Sequence, residues 1–218
     1  MKQLGAAVLL VVALAGCGSG QRGTASVWVT RDRGAHVLLV RKVPAGLTAM
    51  QALQRVAHVD TRYGGRFVQS IDGVSGSSTR QQDWFYFVNG YEADRGAAEY
   101  RLRPGDIEWW DYRDWSHAMS VPIVVGAFPE PFLHGFNGKK LPACVVGSPG
   151  RAVKILDRLL HAGRAPCHAN VLVLKRGARE RFSASTRGVG KPVTFVYVGE
   201  PMRLARNPHL ARFRYSLP

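Results

Sequence analysis

Trp84-Phe85-Tyr86-Phe87-Val88-Asn89-Gly90, followed by Arg103-Pro104-Gly105-Asp106 and then Ile107 to Trp115, decides how the first half of this chain is read. Aromatic and β-branched residues in unbroken series favour a strand, and Asn-Gly supplies a turn that tolerates positive φ. Pro104-Gly105 makes a second turn, and Trp109-Trp110-Asp111-Tyr112-Arg113-Asp114-Trp115 resumes a strand. Its alternation places Trp109, Asp111, Arg113 and Trp115 on one face and Trp110, Tyr112 and Asp114 on the other. Neither face is purely apolar. Ten aromatic residues lie between Trp84 and Trp115, including four of the five tryptophans. Two readings stay open: a small domain's core, or a platform on which polar groups interleaved with rings hold a partly apolar ligand. The platform candidates are Trp84, Tyr86, Asn89, Tyr91, Trp109, Trp110, Tyr112 and Trp115.

Upstream, Ala25–Thr30 and His36–Lys42 read as a hairpin turned at Arg31-Asp32-Arg33-Gly34. Thr48 caps a helix whose stripe Met50, Leu53, Val56, Ala57 runs to about Asp60. Arg66–Ile71 is another strand, Asp72-Gly73 a turn and Ser75–Gln82 an exposed loop. The expected fold class is α+β, a β-grasp-like first domain over 26–118 followed by a small α/β or α+β second domain over 119–218.

The series Gly46-Leu47-Thr48-Ala49-Met50-Gln51-Ala52-Leu53, Ile71-Asp72-Gly73, Trp84 to Gly90, and Leu102 to Asp106 with Trp109 resembles the transcobalamin-like C-terminal domain (DUF4430-like) of bacterial surface proteins. The resemblance covers roughly 26–115. It implies a β-grasp-like domain of the kind that, in vitamin carriers, closes over one face of cobalamin. Cobalamin or a related corrinoid is therefore the ligand that the resemblance suggests. The helical domain that completes the clamp in those carriers has no counterpart in this sequence.

In the second half, Val121–Val125 reads as an edge or first strand and Ser148-Pro149 as the start of a helix bearing Val153, Leu156 and Leu160. Val171–Leu174 and Val193–Val198 are strands. The basic run Lys175 to Arg181 between them reads as a solvated hairpin tip. This half resembles no family by its motifs.

The N-terminus sets the compartment. Lys2 precedes an apolar stretch from Leu4 to Ala15, and Leu14-Ala15-Gly16-Cys17 resembles a bacterial lipobox. Residues 1–16 are then a lipoprotein signal peptide, Cys17 is the lipidated residue, and 17–25 is a tether. The expected location is the exported cell envelope, anchored by lipid outside the cytoplasmic membrane. There, Cys144 and Cys167 are candidates for a disulfide. The formal net charge is +15 in 218 residues, a balance that ordinarily raises nucleic acid as a partner, but an exported chain meets none. From Lys139 to Pro218 there are sixteen Lys or Arg against three acidic residues. Lys175, Arg176, Arg179 and Arg181 thus become candidates for contact with an anionic membrane surface or wall polymer, and a surface protein is a further candidate partner.

Motifs for phosphate loops, calcium loops, zinc helices or a serine elbow are absent. The histidines have no ligand spacing, and neither metal nor catalytic residues are assigned. The expectation is a noncatalytic ligand- or partner-binding protein. The alternative is a secreted hydrolase of wall polymer using Asp106, Asp111 or Asp114 in an aromatic cleft.

Overall fold

A computed structural model describes residues 23–163 and 169–215. The expected hairpin forms from β1 (Thr24–Arg31) and β2 (His36–Pro44), paired antiparallel. Helix α1 (Ala49–Gln54) starts at Thr48, whose Oγ1 accepts the Gln51 N–H at 3.1 Å while Gln51 Oε1 accepts the Thr48 N–H at 3.0 Å. This reciprocal cap fixes the entry of a helix only a turn and a half long. The helix does not run on to Asp60. Val56 and Ala57 both donate to Leu53 O, tightening the last turn, and Asp72 then bonds the backbone of His58. The chain turns into β3 (Val59–Arg62), which pairs antiparallel with β4 (Phe67–Ile71), itself paired with β5 (Val74–Ser75).

β6 (Gln82–Val88), β7 (Tyr91–Glu92) and β8 (Ile107–Asp114) complete a five-stranded sheet of order β2-β1-β8-β6-β7, in which β1 and β8 are parallel. β8 sits at the centre with both faces covered, so tryptophans can occupy successive positions. One face puts Val27, Val29, Trp110 and Tyr112 into the core with Ala49, Met50, Ala52 and Leu53 of α1. The other carries Trp28, Phe87 and Trp109 under Val121, Val124, Phe213 and Tyr215.

Val121–Val125 is not a regular strand. Pro122 lacks an N–H, and the segment instead crosses the sheet face through one bridge, Tyr91 to Ile123, and a bond from Val124 N–H to Gly90 O, ending in a 3-10 turn at Val125–Ala127. The C-terminal segment returns to the same face. A Cβ on Gly34 would lie 2.1 Å from Phe213 O, and one on Gly126 would lie 2.5 Å from Arg214 O. Only glycine lets the returning backbone pass this close on both sides.

The second region has β9 (Ala143–Gly147), α2 (Gly150–Leu160), β10 (Asn170–Arg176), β11 (Arg181–Thr186), β12 (Val193–Gly199) and α3 (Pro201–Arg206). Its sheet order is β11-β12-β10-β9, with β9, β10 and β12 parallel and β11 antiparallel to β12. The basic run 175–181 is therefore not the tip of a hairpin: β10 and β11 are separated by β12, and the hairpin is β11–β12. At the start of α2, Pro149 is itself the cap residue and no side chain, Ser148 included, bonds the first turn. His161, at φ 50°, ends the helix ahead of Gly163. Leu172, Leu174, Phe195 and Tyr197 are buried with Ala152, Leu156 and Leu160 of α2 and Leu204 of α3. The chain thus has a mixed α+β architecture with two sheet-containing regions, joined by one continuous apolar cluster.

Candidate functional site

The aromatic candidates divide according to where their polar ends go. Trp84 donates its indole N–H to Val74 O at 2.8 Å, Trp109 to Thr30 Oγ1 at 2.8 Å and Trp110 to Glu108 Oε1 at 2.5 Å. Tyr112 donates to Ser75 O at 3.0 Å and Tyr91 to Lys191 O at 2.5 Å. These five rings are buried. Tyr86 is half-buried, stacked on Trp110 at 4.8 Å and bonded through its hydroxyl to Arg95 O. Asn89 is buried with both ends of its amide engaged: Nδ2 donates to Asp106 Oδ1 and Gly135 O, and Oδ1 accepts from Ile107 N–H, each at 2.8 Å. It locks the turn after β6 to the turn before β8. Seven of the eight candidates thus have their hydrogen-bonding groups committed inside the fold.

Trp115 is the exception. It lies just past the end of β8, where the sheet's cover stops, and is half-exposed. It lines an open cleft of about 360 Å3 with Arg62, Phe67, Gln69, Gly76, Ser77, Ser78 and Asp83. The β3–β4 hairpin forms one wall and the start of β6 another. Beside it, Tyr63 is 78% exposed and meets the ring of Phe67, 41% exposed, at 6.2 Å. Desolvation raises the pKa of Asp83 above the ordinary carboxylate value, against a stabilising bond from the Trp84 N–H. A cation, a carboxylate, an amide, two hydroxyls and two rings on one concave surface suit a partly apolar ligand that also hydrogen-bonds. Apart from Trp115, sequence reading missed these residues. The signal available is Tyr63-Gly64-Gly65, a turn joining two short strands, but the helix expected to about Asp60 overlaps the start of the first of them.

The carboxylates of the hydrolase alternative have separate partners. Asp106 bonds Asn89 and the Arg103 N–H. Asp111 accepts from Thr30 Oγ1 at 2.5 Å, Arg33 N–H at 3.1 Å and Gly34 N–H at 3.0 Å. Asp114 caps Ser116 N–H at the surface. Asp111 and Arg113 share a strand face without pairing; Arg113 stacks on Phe85 at 3.7 Å and donates to the carbonyls of Ala118 and Met119. Burial pushes Asp111 up to about 6 despite its donors, and drives Glu108, fully buried, well above its ordinary value. Glu130 accepts from His134 Nδ1 at 2.6 Å and raises the pKa of that half-exposed imidazole. Among the described residues no cluster of His, Cys, Asp and Glu could hold a metal ion.

Lys175, Arg176, Arg179 and Arg181 are all exposed. Nearby, Arg203 and Arg214 both approach Glu180, at 3.3 and 3.9 Å. Arg212 stacks on Trp28 at 4.7 Å. Cys144 is disulfide-bonded. Cys167, its expected partner, and Cys17 with the expected signal peptide lie outside the described residues, as does His168.

Residues 46–114 match the family described as domain of unknown function DUF4430. Among solved structures, a crystal structure from Ruminococcus gnavus ATCC 29149, named for a supposed metal-binding role, is 16% identical; the match covers 42% of this chain and 97% of that one, with TM-score 0.34. Haptocorrin in complex with Cbi is 14% identical over 42% of this chain and 25% of its own length, with TM-score 0.36. Likenesses this weak assign neither fold nor ligand here. No curated protein matches significantly.

Proposed function

We propose that this chain is a noncatalytic, lipid-anchored envelope protein that binds a ligand or partner through the Trp115 cleft. The observation that carries this reading is the contrast between Trp115 and its neighbours: seven candidate groups are spent on internal bonds, while Trp115 stands half-exposed in a 360 Å3 cleft of mixed chemistry. Cobalamin or a related corrinoid is the finer candidate, through the family link and a β-grasp-like relation of the first module. A cleft of this size would contact one edge or face of such a ligand without enclosing it. Anchoring at Cys17 and a disulfide between Cys144 and Cys167 belong to the same proposal. The exposed Lys175, Arg176, Arg179 and Arg181 would face an anionic membrane or wall polymer. The hydrolase alternative has less support, because Asp106, Asp111 and Asp114 share no partner.

Calorimetric titration with cobalamin tests the ligand. Saturable binding that Trp115→Ala abolishes, with the unfolding temperature unchanged, is the expected result. Binding that survives the substitution, or no binding at all, removes the corrinoid from this cleft.

A further inference from the structure

A second cleft, of about 730 Å3, lies on the four-stranded sheet and is lined by Val171, Ser185, Thr186, Arg187, Lys191 and Thr194 among others. Register defines its surroundings. Ser185, Thr194 and Val171 are neighbours across β11, β12 and β10; Ser183, Val196, Val173 and Val146 form the next row, and Arg181, Val198 and Lys175 the one after. These positions face away from α2 and α3: along β12 the residues between buried Val193, Phe195 and Tyr197 are half-exposed, and Val146 is 36% exposed. An apolar strip of valines therefore runs from a polar, cationic cleft at one end to a basic row at the other.

The backbone that carries the cleft's cations is held in place, and the cations are not neutralised. Thr186 Oγ1 lies within donating distance of both Gly188 O, at 2.9 Å, and Pro192 O, at 3.0 Å, Lys191 N–H donates to Gly188 O at 3.1 Å, and Tyr91 donates to Lys191 O. The turn carrying Arg187 and Lys191 is thereby pinned at both ends. Neither side chain makes a hydrogen bond or ion pair with a described residue, and both are exposed. Two uncompensated cations on a pinned turn, beside exposed Ser185 and half-exposed Thr194, suit a phosphate group, and guanidinium in particular suits its oxygens geometrically.

We propose that this face binds a phosphate-bearing amphiphile, its phosphate between Arg187 and Lys191 and its apolar part along Val171, Val173 and Val196. Charge complementarity selects the headgroup and the half-exposed valines select an amphiphile over a free phosphate. The site is on the other sheet from the Trp115 cleft, and its success or failure is independent of that reading.

The test uses the full chain throughout, so that the N-terminal segment is constant, and measures affinity for dihexanoyl phosphatidylglycerol below its micelle concentration, dihexanoyl phosphatidylcholine and inorganic phosphate. Phosphatidylglycerol should bind most tightly and should lose roughly tenfold or more in Arg187→Gln/Lys191→Gln, given the contribution of each cation near an anionic headgroup. Val173→Thr should weaken phosphatidylglycerol while leaving inorganic phosphate unchanged, and Lys154→Gln, on the exposed side of α2, should change neither. Unfolding temperatures monitor folding of each variant. Equal affinity of wild type and the double variant overturns the site. Equal affinity for phosphatidylglycerol and inorganic phosphate overturns the amphiphile, leaving a free anion, and equal affinity for phosphatidylcholine shows that the cations select nothing.

Discussion

Replacing Asp111 by Asn should change how stability depends on pH, in a direction that the structure fixes. The carboxyl is buried against Thr30, and its pKa rises from 3.8 to about 6 because burial penalises the charge more than its donors favour it. Below pH 3.8 the group is protonated in both folded and unfolded chains. Between 3.8 and 6 the unfolded chain loses its proton and the folded chain keeps it, so stability falls as pH rises. Above 6 the loss is complete, at about 3 kcal/mol from 1.36 kcal/mol per pKa unit. The Asn variant lacks this titration. It carries a roughly constant cost of about 1–3 kcal/mol, because an amide N–H now faces donors in place of an acceptor. Urea unfolding of both proteins at pH 3.5, 5 and 7.5, followed by tryptophan emission, gives the difference directly. Wild-type stability relative to the variant should fall by about 3 kcal/mol from the lowest to the highest pH. A flat difference, or one that rises with pH, would refute the claim that burial dominates at this carboxylate.

Thr48→Ala removes one half of the cap on α1 and should cost about 1 kcal/mol in the same unfolding assay. Gly126→Ala should cost about 1–3 kcal/mol by overpacking, with faster amide exchange at Phe213, whose N–H bonds Gly126 O at 3.1 Å. Because the Glu130 carboxylate raises the His134 pKa, Glu130→Gln should shift the imidazole titration, followed by NMR, to lower pH; no shift would show that the pair does not govern it. Glu108→Gln should gain stability relative to wild type as pH rises from 4 to 7, since burial disfavours the folded carboxylate while the unfolded chain ionises it freely.

The strands of the first region were legible because Trp84 to Val88 and Ile107 to Asp114 combine strong strand preference with unambiguous turns. Thr48 announced the helix for the same local reason. The end of that helix was not legible: Val56 and Ala57 continue the helical stripe, and only the distant Asp72 carboxylate, bonded to His58, turns the chain into β3. β11 was hidden by its composition, since Arg181 to Thr186 is an edge strand whose polar residues face water, and nothing local says that it joins β12 in preference to β10. The aromatic region could not be assigned to core or site from sequence because that distinction depends on what covers the second face of β8. The cover comes from Val121, Val124, Phe213 and Tyr215, the last two about a hundred residues downstream. The cleft itself is assembled from three separated segments that meet only in the fold.

The five tryptophan indole N–H signals in a heteronuclear NMR spectrum give the most direct test of the Trp115 cleft, with the Trp115 signal assigned by Trp115→Phe. Four of these indoles are buried and one is half-exposed, so each reports a different place. Titration with cobalamin should move the Trp115 signal saturably and leave Trp28 and Trp109 in place. A Trp115 signal that stays fixed while others move, or a spectrum that does not change at all, would contradict the proposed site.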